Sequence, residues 1–114
     1  MRYSIFLAII FCSCTYNELI LEPVPVCKSD NPTFLDCVQP IIDHHCLGCH
    51  SSASANGDLS NYDVISSSIM NGDLIDRVQR NEGELGFMPM GANQLNELDI
   101  QILMKWKNNG APNN

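Results

Sequence analysis

A chain of 114 residues with net charge −7, from 13 acidic and 6 basic residues, fits one small domain and lacks the basic footprint that nucleic-acid binding requires. The acidic balance aids solubility and suits docking on a basic partner surface. Six cysteines in so short a chain point to a domain whose limited core is supplemented by covalent links, a metal or a cofactor.

The N-terminus reads as a targeting segment. Arg2 supplies a positive charge, and residues 5–11 form a nearly unbroken apolar run. That run is far shorter than the roughly 20 residues that span a bilayer, and it matches the apolar region of a secretory signal peptide. It ends at Phe11-Cys12-Ser13-Cys14, which is similar to the lipobox of bacterial lipoproteins, although Phe11 stands where leucine is usual. Cys14 follows the small Ser13 and is the better acylation site, because Cys12 follows the bulky Phe11. Several acyl chains on one cysteine would hold the protein stably on a membrane, as a single chain would not. The expected organisation is a signal peptide over 1–13, a lipid-anchored tether over 14–32 and a folded domain over 33–114. Pro23, Pro25 and Pro32 favour extended backbone in the tether. Cys27 and Cys37 lie ten positions apart in a chain read as exported, so a disulfide between them is sterically open.

The first predicted helix covers 38–45, with Pro40 in its first turn, where a missing N–H costs nothing. It leads into Cys46-Leu47-Gly48-Cys49-His50, the C-x-x-C-H pattern of covalent haem attachment. Two thiols can add across the two vinyl groups of haem, and the adjacent imidazole can reach the iron as its proximal ligand. Three other readings of a C-x-x-C pair compete. A thioredoxin-like redox pair calls for a βαβ pattern, and none surrounds this one. A zinc site calls for a second half, and His44 and His45 lie too close to provide it. A structural disulfide is compatible with export. The adjacent His50 and the export signal favour haem.

A second helix is expected over 62–70, capped by Ser60 or Asn61 and ended by Asn71-Gly72. A short helical turn follows over 74–79. Next comes the polar, glycine- and proline-rich loop holding Phe87-Met88-Pro89-Met90-Gly91. Met88 is the leading candidate for a distal haem ligand, with Met90 the alternative, because core filling explains a methionine poorly in such a loop. Met70 and Met104, on helices, are expected in the core, and His44 and His45 on the surface. The last helix begins at the N-cap Asn96, with Asp99 three residues on as a short-armed capping box. Ile100, Leu103 and Trp106 can share its apolar face, Lys105 and Lys107 suit its C-terminal dipole, and Gly110 and Pro112 end it. No alternating pattern of useful length predicts a strand.

With these residues in place the chain resembles a known family. Val38-Gln39-Pro40-Ile41-Ile42, followed by Cys46-Leu47-Gly48-Cys49-His50-Ser51, is similar to the start of small class I cytochrome c domains, especially those of exported bacterial lipoproteins. Gly57-Asp58-Leu59, Met88-Pro89, Leu95, Trp106 and Gly110-Ala111 follow in the order of that pattern, while Met90 stands where a second proline is common. The resemblance covers about 34–112. It implies an all-α class I fold, with terminal helices crossing and one haem c in a cleft. Cys46 and Cys49 would be its thioether links, with His50 and the methionine before the proline as iron ligands. The implied function is one-electron transfer, without catalysis, in the periplasm or at the cell surface, with a redox protein or respiratory complex as partner. Two alternatives stay open: a haem enzyme or ligand sensor in which the distal methionine is displaced, and a docking subunit of a larger redox complex.

Overall fold

The computed structural model describes residues 26–114; the signal-peptide reading and the acylation site Cys14 lie outside the described residues. Among the described residues the regular structure is helical and no strand forms. A π-helical segment, Phe34–Val38, runs directly into α1 (Gln39–His45), followed by α2 (Tyr62–Met70), α3 (Leu74–Gln79) and α4 (Glu97–Asn108).

The first helical run begins earlier than the sequence pattern suggests. Thr33 is the N-cap, its hydroxyl accepting from the Asp36 N–H at 3.2 Å. Pro40 therefore lies inside the run, where it cannot donate to the Asp36 carbonyl and its ring would crowd that group. The turns just before it are widened: the Val38 N–H reaches the Thr33 carbonyl at 3.2 Å, and the Gln39 N–H reaches that of Phe34. Other boundaries follow local chemistry. Asn61 caps α2 by accepting from the Val64 N–H, and Asn96 caps α4 by accepting from the Asp99 N–H at 2.9 Å. Gly110, at φ 86°, takes the left-handed conformation that ends α4 without a Cβ penalty.

The core joins all the helices. Phe34, Val38, Ile42, Ile65, Ile69, Leu103 and Trp106 are buried in one cluster. At its centre three rings from three helical segments meet. Phe34 and Tyr62 are edge-on at 5.1 Å, Phe34 and Trp106 lie 5.8 Å apart, and Tyr62 and Trp106 are edge-on at 6.3 Å. Trp106 is fully buried, and its indole N–H donates to the Pro112 carbonyl at 3.1 Å. The Tyr62 hydroxyl donates to the Ala111 carbonyl at 2.8 Å. The chain after α4 then folds back, so that Asn114 accepts from the Phe34 and Leu35 N–H groups, both at 3.0 Å. Two orphan donors of the first helical turn are thereby satisfied by the C-terminus.

Two expectations about methionines are corrected. Met70 is 39% exposed and Met104 is 38% exposed. On α4 the buried stripe is Ile102, Leu103 and Trp106, while Ile100 is only partly covered. That stripe turns Met104 to the rim, where its sulfur meets the Gln79 amide at 3.3 Å. The end of the expected tether also packs on the domain. Cys27 and Cys37 form a disulfide with Cα atoms 4.8 Å apart, Pro32 is buried, and Asp30 lies 3.6 Å from the Lys105 ammonium.

Trp106→Ala would empty the ring junction and leave Tyr62 and Phe34 without their shared partner. Its expected cost is about 3–5 kcal/mol, read as a fall in the urea midpoint with the slope unchanged.

Candidate haem site

The Cys46–His50 segment leaves α1 as a tight turn. The Cys46 N–H continues the helix by donating to the Ile42 carbonyl at 2.8 Å. The Cys49 and His50 N–H groups then donate to the Cys46 carbonyl at 3.1 and 2.9 Å. Both thiols are free: Cys46 is half-buried and Cys49 exposed. Burial pushes the Cys46 thiol up to about 11, so it stays protonated at neutral pH. Cys46 therefore lacks the accessible, lowered-pKa character of an attacking thiol in a thiol–disulfide exchange centre. Among the described residues no group of three or more His, Cys, Asp or Glu side chains converges as a metal ligand set.

His50 is fixed in orientation. Its Nδ1 lies 3.2 Å from the Gly57 carbonyl oxygen, and its own carbonyl accepts from the Leu59 N–H at 2.8 Å. A carbonyl oxygen only accepts, so this contact is a hydrogen bond when Nδ1 carries a proton, and Nε2 is the nitrogen not engaged by it. That is the usual outer support of a ligating histidine. Gly57 adopts φ 100°, a backbone that side-chain-bearing residues rarely take.

These groups open onto a cleft of about 450 Å³, inside the range of roughly 300–1,000 Å³ common for cofactor sites. Cys46, Cys49 and His50 line it together with Met88, Pro89 and Met90, and Leu59, Leu74 and Val78 add apolar surface. The sequence-predicted residues 46, 49, 50 and 88, spread over 43 positions (46 to 88 inclusive), thus share one cavity. The two candidate methionines differ in setting. Met88 is half-buried and its N–H donates to the Arg77 carbonyl at 3.2 Å, whereas Met90 is 79% exposed. His45, expected on the surface, is half-buried at the rim, with Nε2 3.5 Å from Asp99 of α4; His44 is exposed.

The donor set fits a c-type haem. It comprises the imidazole of His50, the two free thiols of Cys46 and Cys49, and the thioether of Met88, all on a partly apolar cleft. Sequence reasoning missed the Gly57 carbonyl, which carries no side-chain signal. It also missed two ion pairs on α3. The Arg77 Nε binds Asp73 at 2.7 Å and the Arg80 Nε binds Asp76 at 3.0 Å. Their i, i+4 spacing was legible. The hydrogen bond from Arg77 holds the Asp73 carboxyl below the usual carboxylate range, so this pair persists at neutral pH and is lost as the pH falls through that lowered value.

A scan against protein-family models matches none, and searches of curated proteins and of solved structures return no match.

Gly57→Ala tests the support of His50. The added Cβ would stand 3.9 Å from Nδ1, which is ordinary contact, so the cost is backbone strain alone. Urea denaturation is expected to show a loss of about 1–3 kcal/mol. Backbone relaxation should also weaken the Nδ1 hydrogen bond, read as faster exchange of its ring proton by NMR.

Proposed function

We propose that this chain is a monohaem c-type cytochrome of the class I kind, a one-electron carrier exported and held at a bacterial membrane surface through Cys14. The reading rests on one observation above the others. Cys46, Cys49, His50 and Met88 line a single cleft, and the His50 ring is oriented by the contact of its Nδ1 with the Gly57 carbonyl at 3.2 Å.

When bound, haem c supplies a reversible one-electron iron couple. The chain's own residues do the rest. Each thiol would add its sulfur to one vinyl carbon and its hydrogen to the other, which consumes no oxidant and releases no leaving group. Two thioethers are neutral and tolerate the half-buried setting of Cys46. His50 would bind iron through Nε2 while Gly57 keeps the ring from turning. Met88 would give the distal sulfur, a soft ligand that favours iron(II) and raises the potential. Leu59, Leu74 and Val78 keep part of the cleft apolar and would limit water near a bound haem.

If His50 and Met88 both held the iron, no position would be left open for a substrate, which favours a carrier over an enzyme or gas sensor. Among the described residues no helix is long and apolar enough to cross a membrane. Attachment in this proposal runs through acylated Cys14, and the partner is a redox protein or respiratory complex at that surface.

The absorption spectrum of the reduced protein, with and without carbon monoxide, tests the reading. A carrier with Met88 on iron is expected to keep its spectrum under carbon monoxide over minutes. Met88→Ala should respond on mixing. Rapid binding by the unmodified protein would turn the assignment to a ligand-binding haem protein.

A further inference from the structure

The segment that presents Met88 is poorly anchored by apolar burial. Between α3 and Leu95 only Phe87 is buried among the large side chains, while Leu85 is 95% exposed and Met90 is 79% exposed. A polar loop of this kind carries a large ordering entropy, and something must offset it if one sulfur is to stay in place.

The polar contacts supply that constraint, and they converge on Arg77 of α3 and on Arg80, its C-cap. Each guanidinium is first oriented by a carboxylate four residues earlier, Arg77 by Asp73 and Arg80 by Asp76. Each then turns a second donor onto the loop backbone. The Arg77 Nη1 reaches the Gly86 carbonyl at 3.4 Å, and the Arg80 Nη1 donates to the Leu85 carbonyl. The Arg77 carbonyl also accepts the Met88 N–H at 3.2 Å, so one residue holds the loop through both backbone and side chain. Gln94 closes the far end by donating its side-chain amide to the Arg80 carbonyl at 3.0 Å. A planar guanidinium has five donors in a fixed fork and can serve a carboxylate and a carbonyl together, which an ammonium does poorly.

We propose that Arg77 and Arg80 are positioning residues for the distal iron ligand: braced by Asp73 and Asp76, they fasten the Leu85 and Gly86 carbonyls and so hold the Met88 sulfur at the cleft. The inference rests on the reading of Met88 as the ligand. Neither arginine needs to touch the iron or its sulfur. Their effect is on how readily an outside ligand takes Met88's place.

Competition by imidazole on the oxidised holoprotein reads this directly. Arg77→Met and Arg80→Met are each expected to bind imidazole about tenfold more tightly, the scale of one lost charge-assisted hydrogen bond. The weak far-red sulfur-to-iron band should diminish while covalent haem content stays unchanged. Arg77→Lys should recover little. Asp73→Asn and Asp76→Asn keep both arginines and only release their orientation. They should shift imidazole affinity the same way by a smaller factor, and they serve if the arginine variants fold poorly. Lys107→Met, on α4, is the control and should match the unmodified protein.

If Met88→Ala abolishes the far-red band while the arginine and aspartate variants all bind imidazole as the unmodified protein does, the ligand assignment stands and the clamp is overturned. If Met88→Ala changes neither band nor affinity, the ligand assignment falls and takes the clamp with it.

Discussion

The junction of Phe34, Tyr62 and Trp106 is the interaction on which the rest of the structure depends. It brings the first, second and last helical segments to one point, and its polar atoms extend the closure. Tyr62 holds the Ala111 carbonyl, Trp106 holds that of Pro112, and the returning tail places Asn114 over the first helical turn. Aromatic pairs at these separations add to their burial. With both ends of the domain tied there, the segment from α1 to α4 is left to wrap a cleft. The disulfide from Cys27 to Cys37 acts on the same side, joining the approach segment to a buried position of the first helical run.

The cleft is the counterpart of that junction. A domain this small has few apolar side chains to spend, and they gather around Trp106 while Leu59, Leu74 and Val78 face the cavity. What surrounds the cavity is chemically specific. The two thiols and the imidazole stand at the end of α1, where the helical turn spaces them. The thioether sits on a loop braced by α3. Polar contacts hold the backbone and ring on both sides of the cleft, through the Gly57 carbonyl on His50 and the arginine contacts to the loop that carries Met88.

Much of this was legible in the residues themselves. Asn61 and Asn96 announced their helices because a short side-chain acceptor before an apolar pattern satisfies orphan N–H groups. The C-x-x-C-H pattern pointed to residues 46, 49 and 50, and the structure gathers them with Met88 on one cleft. The first helix was read four residues short because Pro40 suggested a beginning. The cap is Thr33, and widened turns carry the helix past the proline. Leu103 and Trp106 were legible as the apolar face of α4, whereas Ile102 is buried more fully than Ile100, which only packs against the core, because the facing elements decide between them. The bond from Asn114 to Phe34 joins residues 80 positions apart, and such a contact has no local signature. The Asp-to-Arg spacing on α3 was visible, but its purpose required the position of the loop.

The most direct test of the central claim is the intact mass of the denatured, exported protein, followed by peptide mapping. The account predicts a chain heavier by one haem, with the added mass on the peptide that contains Cys46 and Cys49. A protein that carries free thiols or a disulfide at these two positions after export through a competent haem-attachment pathway would contradict it.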